Sequence, residues 1–349
     1  MNAKIIATIG PSSENYNSLK SMALSGMDLI RMNFSHANYD QYYKIKENID
    51  KINKELNINI KILFDLQGPR IRVGKLKHEV EIIEGETYIF MYGKGNIDNL
   101  EIPIDDSELI NDLKIGDPIY LDNGMIELRV VEINLLENKF TAKTERGGLL
   151  LSRKGVNVPR TILNRDILTA KDLLDIEFAK KVKPDFVAAS FVQNPEDVVK
   201  VKKAIDDDNI KIISKIERGV SLENIDGIIR NSDCIMIARG DLGIEIPMED
   251  LPIVQKNLIR HAHWHDKPTI VATQMMASMI DHYRPTRAEV SDVANAIFDG
   301  ADALMLSDET AIGKYPVETV HNMNKIIKRT DQYFSHRNYF DNLEIIYKK

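Results

Sequence analysis

Apolar positions along the chain fall into two rhythms. In the first 68 residues, short apolar runs alternate with amphipathic stretches. "KIIATIG" (4–10) precedes a helix-like 16–25, "DLIRMNFS" (28–35) precedes an amphipathic 38–56, and "IKILFDLQG" (60–68) follows. A β-α-β-α-β order of this kind predicts parallel strands. From 70 to about 154 the texture becomes short and alternating, as in "EVEIIEGETYIFMY", "DPIYLDNGMIELRVVEI" and "KFTAKTERGGLLL". The "DNG" at 122–124 is a turn signal between strands, so this stretch reads as a small all-β insertion. The first rhythm then resumes with "DFVAASF" (185–191), "IKIISKIE" (210–217), "CIMIARGD" (234–241), "TIVATQM" (269–275) and "ALMLSDE" (303–309). Each is followed by a helical pattern. One such helix is well marked, with Thr286 and Glu289 spaced as a capping box and Gly300 as its stop.

Three strands before the insertion and five after it make eight. The expected fold is α/β, a TIM (β/α)8 barrel with a small all-β domain inserted after strand three; an open doubly wound sheet is the competing arrangement. The expected division is barrel at 1–69 and 155–335, inserted domain at 70–154, and a short tail at 336–349.

One strand poses a chemical question. In "KIISKIERG" (211–219), Lys215 and Glu217 lie two apart and share the face of Ile213. In a barrel that face points inward, and active sites lie at the C-terminal strand ends. Those ends carry Arg31, Arg70, Arg72 and Lys215 among Asp65, Glu217 and Asp241. The bland alternative is a structural ion pair, which is costly to desolvate and seldom adds much stability. The chemical reading pairs Glu217 with Asp241 around a divalent cation. Two carboxylates with open positions suit Mg²⁺. Lys215 beside it would neutralise charge on a transferring group, the Gly240 and Asp241 amides would take an anion, and Thr273 would add a hydrogen bond. These are parts for phosphoryl transfer.

Composition narrows the choice. Of 349 residues, 43% are hydrophobic and 28% charged, as in a globular protein, and the net charge of −7 argues against nucleic-acid or membrane-surface binding. The single cysteine, Cys234, leaves no disulfide framework and fits a reducing compartment. The start runs directly into a strand pattern without a signal peptide, and no apolar run reaches about 18 residues, so a cytoplasmic location is expected. His261, His263 and His265 read as a solvated helix end.

"TIGPSS", "RMNFSH", "KGVNVP", "ISKIE", "ARGDLGIEIP", "ATQMMASM" and "RPTRAEVSDVANAIFDGADALMLSDETAIGKYPVE" together resemble the pyruvate kinase family, from residue 3 to about 330. The resemblance implies a barrel with a mobile β-domain lid, and phosphate transfer from phosphoenolpyruvate to ADP. It implies that Lys215 stabilises the transferring group, that Glu217 and Asp241 hold Mg²⁺ (or Mn²⁺ in its place), and that the Gly240 and Asp241 amides with Thr273 bind the substrate carboxylate. Arg31 and Arg72 would reach phosphates, and Asn33, His36, Arg72 and Lys154 would grip the nucleotide. The proton donor to the enolate is not identified.

The chain departs from the family pattern in three places. The potassium-site positions are Asn33, Ser35, Asp65 and the carbonyl of Leu66, but "LQGPR" stands where potassium-dependent members show Thr-Lys-Gly-Pro-Glu. Arg70 would supply a fixed charge there, so K⁺ is expected to be dispensable. The chain stops at Lys349, where family members continue into a further α/β domain, so control through that domain is expected to be absent; the helix after Thr286 keeps a contact region and a dimer is expected. Family glycine positions carry Ala37, Arg160, Ser221, Asp266 and Asp308. A divergent phosphoenolpyruvate enzyme of another pathway and a catalytically silent binding protein are the competing functions. A magnesium-dependent carbon–carbon lyase on a similar barrel is a third, against which the retention of Lys215, Lys154 and the lid speaks.

Overall fold

A computed structural model describes residues 3–159 and 161–335. The alternating pattern yields barrel strands β1 (Lys4–Thr8), β2 (Leu29–Asn33), β3 (Lys61–Asp65), β4 (Phe186–Ala189), β5 (Lys211–Ile216), β6 (Cys234–Ala238), β7 (Thr269–Ala272) and β8 (Ala303–Leu306). All pair in parallel with their sequence neighbours, and β1 pairs with both β2 (Thr8 opposite Arg31) and β8 (Lys4 opposite Ala303), which closes the ring. The closed barrel removes the open-sheet alternative.

The period-2 alternation divides each strand between two environments. On β5, Ile212 and Ile216 join the outer cluster against the helices, while Ile213 joins Ile6, Leu63, Met236 and Met305 inside the barrel. Local signals set the helix ends. Asn15 and Asn38 cap the helices Tyr16–Ser25 and Tyr39–Leu56 through their side chains. The helix Arg287–Asp299 has the Thr286–Glu289 capping box and stops at Gly300 with φ 102°, the left-handed turn that glycine adopts without strain.

The inserted unit has a six-stranded sheet, a two-stranded sheet, and its own core, in which Phe90 stacks on Phe140. The "DNG" stretch turns between Pro118–Leu121 and Ile126–Asn134, with Asp122, Asn123 and Gly124 all at positive φ. Val156–Asn157 pairs with Pro118–Leu121, and Val158 and Leu163 join the insert's core. Pairing and packing thus carry the inserted unit past residue 154.

Two further differences from the sequence reading concern local structure. The run at 234–241 is a strand only to Ala238; the helix Arg239–Glu245 begins at once, placing Gly240 and Asp241 in its first turn. Of the glycine replacements, Asp266 does sit at positive φ (53°), whereas Ala37, Ser221 and Asp308 do not, so no left-handed strain arises at those three. Arg160 and the 336–349 tail lie outside the described residues.

Candidate active site

The C-terminal ends of the strands surround a cavity of about 120 Å³, lined by Arg31, Asn33, Ser35, His36, Leu66, Arg70, Arg72, Lys215, Glu217, Asp241 and Thr273. A larger groove of about 1230 Å³ shares Arg31, Asn33 and His36 with it and runs past Ala37 and Asp308. The smaller cavity holds the chemistry, because the charges converge there.

At its floor β5 delivers Lys215. The Nζ lies 3.1 Å from Asp65 Oδ1, 3.0 Å from Glu217 Oε1, and donates to Ser190 Oγ at 2.8 Å. Arg31 holds the other Asp65 oxygen, Nε to Oδ2 at 2.7 Å, and donates to Thr8 Oγ1 at 3.0 Å. Burial works to raise the Asp65 carboxyl, but the Lys215 ammonium and Arg31 guanidinium outweigh it and hold the group below the usual range. Burial likewise opposes the Lys215 charge, and Asp65 and Glu217 together overcome it, keeping the ammonium protonated. Glu217 is less well served. Its carboxyl is pushed up, first by burial and then by the carboxylates of Asp241 and Asp65, although Lys215 and the Phe191 N–H (2.8 Å) pull the other way.

This imbalance is the test of whether a metal ion fits. Glu217 and Asp241 face one cavity, the Asp241 carboxylate makes the Glu217 charge more costly, and a cation held by the two would relieve that cost. Among the described residues, no group of three or more acid, His or Cys side chains is arranged to hold a metal. A two-carboxylate set leaves positions for water and substrate oxygens, as Mg²⁺ requires.

Thr273 has φ 72° and Gln274 φ 54°. A β-branched residue in that region is strained, and such strain clusters at ligand sites. Arg239 secures the bend: its guanidinium is bidentate to Asp292 at 2.7 Å and donates to the Thr273 carbonyl at 3.0 Å. The Thr273 hydroxyl is thereby brought to the Gly240 N–H, which donates to it at 2.6 Å. A Cβ on Gly240 would come within 3.3 Å of the same oxygen.

Several expected placements come out differently. Lys154 does not line the cavity; it pairs with Asp122 in the inserted unit at 2.8 Å. Arg72 lines it while donating to the Arg153 carbonyl at 3.2 Å. Arg70 was expected to stand in for a cation near Asn33, Ser35 and Asp65. It does line the cavity with Asn33 and Ser35, but its ion pair is with Asp241, Nη2 to Oδ1 at 3.2 Å. Two of the potassium-site oxygens have partners within the chain: Asn33 Oδ1 accepts from the Ser35 N–H, and the Leu66 carbonyl accepts from Ser190 Oγ. The helix-end histidines are solvent-side, with His263 on Asp302 and His261 and His265 near Asp226. Residues that pattern reading missed are Ser190, Phe191, Arg239 and Asp292; "ASF" and "ARGD" at strand ends were the only signals for the first three.

The family described as "Pyruvate kinase, barrel domain" matches residues 1–320. The chain belongs to the pyruvate kinase family. It is 43% identical over 337 residues to a pyruvate kinase of Agrobacterium vitis, covering 96% of this chain and 69% of that one. A pyruvate kinase of Bacillus licheniformis is 42% identical over 96% of this chain and 58% of its own length, and one of Thermococcus litoralis 44% identical over 95% and 70%. The chain therefore spans between just under three fifths and seven tenths of these curated relatives. Among solved structures, a pyruvate kinase from Cryptosporidium parvum superposes with TM-score 0.90 at 36% identity, covering 95% of this chain and 69% of that one. The pyruvate kinase barrel thus accounts for the ring of strands that positions Arg31, Asp65 and Lys215. No helix among the described residues is long and apolar enough to cross a membrane.

Proposed function

We propose that this chain transfers the phosphoryl group of phosphoenolpyruvate to ADP, giving pyruvate and ATP. The observation that carries the reading is Lys215, a buried ammonium kept charged by Asp65 and Glu217 at 3.1 and 3.0 Å, at the strand ends where the cavity opens. A family protein with this set complete has the parts for the reaction, whereas a silent binding protein has no use for inward charges that cost desolvation.

In this reading the substrate carboxylate takes over the Gly240 N–H now donated to Thr273, with the Asp241 amide and the Thr273 hydroxyl beside it. Lys215 and Arg31 neutralise the phosphoryl oxygens as the bond to the enol oxygen breaks and a bond to the ADP terminal oxygen forms. The enolate left behind then takes a proton at its methylene carbon. Asn33 and His36, on the rim shared with the larger groove, and Arg72, in the smaller cavity, hold the nucleotide, and Lys154 joins them on leaving Asp122. Glu217 and Asp241 would hold Mg²⁺, or Mn²⁺ in its place, which when bound offsets phosphate charge and orients the transferring group. Arg70 supplies a permanent positive charge in the same cavity, and the Asn33 side-chain oxygen and the Leu66 carbonyl already accept hydrogen bonds, which supports potassium independence. We place the protein in the cytoplasm. A homodimer is formed through the Arg287–Asp299 helix, which leaves Val290 exposed; a light-scattering mass of a single 39.7 kDa chain would reject it.

The test is pyruvate formation from phosphoenolpyruvate and ADP with Mg²⁺, first without potassium and then with it. Turnover indifferent to potassium supports the whole reading. Turnover only with potassium keeps the kinase and removes that role from Arg70. An absence of turnover in both buffers overturns the reading in favour of a different acceptor.

A further inference from the structure

Two attachments of the inserted unit to the barrel meet on one short helix. The incoming root is Arg70, which pairs with Asp241 at the start of Arg239–Glu245. The outgoing root is formed by Asn157, Val158 and Thr161. Asn157 Nδ2 donates to Glu245 Oε1 at 3.2 Å, and Glu245 Oε2 pairs with Arg218 Nε at 2.9 Å. Arg218 Nη2 then donates to the carbonyls of Val158 (3.2 Å) and Thr161 (2.7 Å). Asp241 and Glu245 are four residues apart, so the helix holds one root at each end.

The two attachments differ in kind. The Arg218–Glu245 side chains are 4% and 1% exposed, and every contact is made within a network, so breaking it would strand a buried charge. The Arg70–Asp241 pair is a single contact at 29% and 18% exposure. It is the exchangeable one, and its carboxylate is also a member of the pair that would hold the divalent cation. A guanidinium 3.2 Å from a carboxylate oxygen stands on the side of Asp241 facing the cavity, where it repels a second cation and screens the ligand's charge.

Resting on the metal-site reading above, we propose that Arg70 is an internal counter-cation that occupies Asp241 until a divalent cation displaces it. Displacement removes one of the two attachments of the inserted unit to that helix, while Glu245 keeps the other. Cation binding and the position of the inserted unit are then one equilibrium, because the same carboxylate serves both.

The experiment counts free Mn²⁺ by electron paramagnetic resonance in titrations of the metal-free protein without substrate. Arg70→Gln is expected to bind Mn²⁺ about fivefold more tightly than the unsubstituted chain, and Arg70→Lys to stay near it. Unchanged or weaker binding by Arg70→Gln overturns the proposal. Asp241→Asn separates the two levels. If it loses Mn²⁺ binding while Arg70→Gln is unchanged, the metal site stands and the competition fails. If Asp241→Asn binds as before, the metal-site reading itself fails and the proposal with it.

Discussion

The two ends of the barrel interior are built from the same strands yet obey opposite rules. Toward the N-terminal end, Ile6, Leu63, Ile213, Met236 and Ile270 fill the ring with apolar side chains. A few residues further along the same strands, Arg31, Asp65, Lys215 and Glu217 replace them. Both layers are buried. The lower one is stabilised by area removed from water; the upper one has charges whose mutual attraction is largely spent on their own desolvation. The difference shows that burial alone does not mark a core; in the proposed reading, what is buried at the mouth is held ready for a ligand that completes its charge balance.

This comparison can be broken or sharpened by substitution. The largest effect is expected for Glu217→Gln, which should lower turnover on the order of a thousandfold by removing a cation ligand and a partner of Lys215. Because the metal-free site holds that carboxylate uneasily, the same change should leave unfolding stability equal or higher by about 1 kcal/mol. A denaturant midpoint that falls sharply would show that the mouth is ordinary core. Leu63→Ala should do the reverse, costing about 3 kcal/mol by its cavity while turnover per folded molecule stays within about twofold; calorimetry with active-site titration checks both. Arg70→Glu should convert potassium from an indifferent ion to an activator by several-fold, read from rates in potassium and sodium buffers.

The smallest effect concerns Cys234 on the barrel floor. Burial, and then Asp302, pushes its thiol well above the ordinary 9.0. A folded-state value above the unfolded one contributes stability that is full below the unfolded value and lost as pH rises beyond it, because only the unfolded chain can ionise. Stability should therefore begin to decline above about pH 9, and Cys234→Ala should flatten that part of the curve. An unchanged slope would contradict it.

How much of this was readable in advance follows the range of the interactions. The eight strands, the capped helix after Thr286 and the inward direction of Lys215 and Glu217 follow from periodicity, which is local. The sharing of Lys215 by Asp65 and Ser190 depends on β3, β4 and β5 meeting in the closed ring, which no spacing encodes. Arg70 is the clearest example. Its type announced a fixed charge, but its partner, Asp241, is supplied by a strand end 171 residues away in the chain, across the root of the inserted unit. Positive φ was likewise hidden: among the described replaced glycines only Asp266 has it, while the strained Thr273 carried no glycine signal at all.

In the proposed reaction the mouth charges serve phosphoryl transfer, with Lys215 as the group that meets the transferring phosphoryl. The most direct measurement is single-turnover transfer from phosphoenolpyruvate to Mg²⁺–ADP in Lys215→Met beside the unsubstituted chain, with phosphoenolpyruvate binding followed in parallel. The account predicts transfer slowed on the order of a thousandfold while the substrate still binds. Transfer at the original rate in the variant would contradict it.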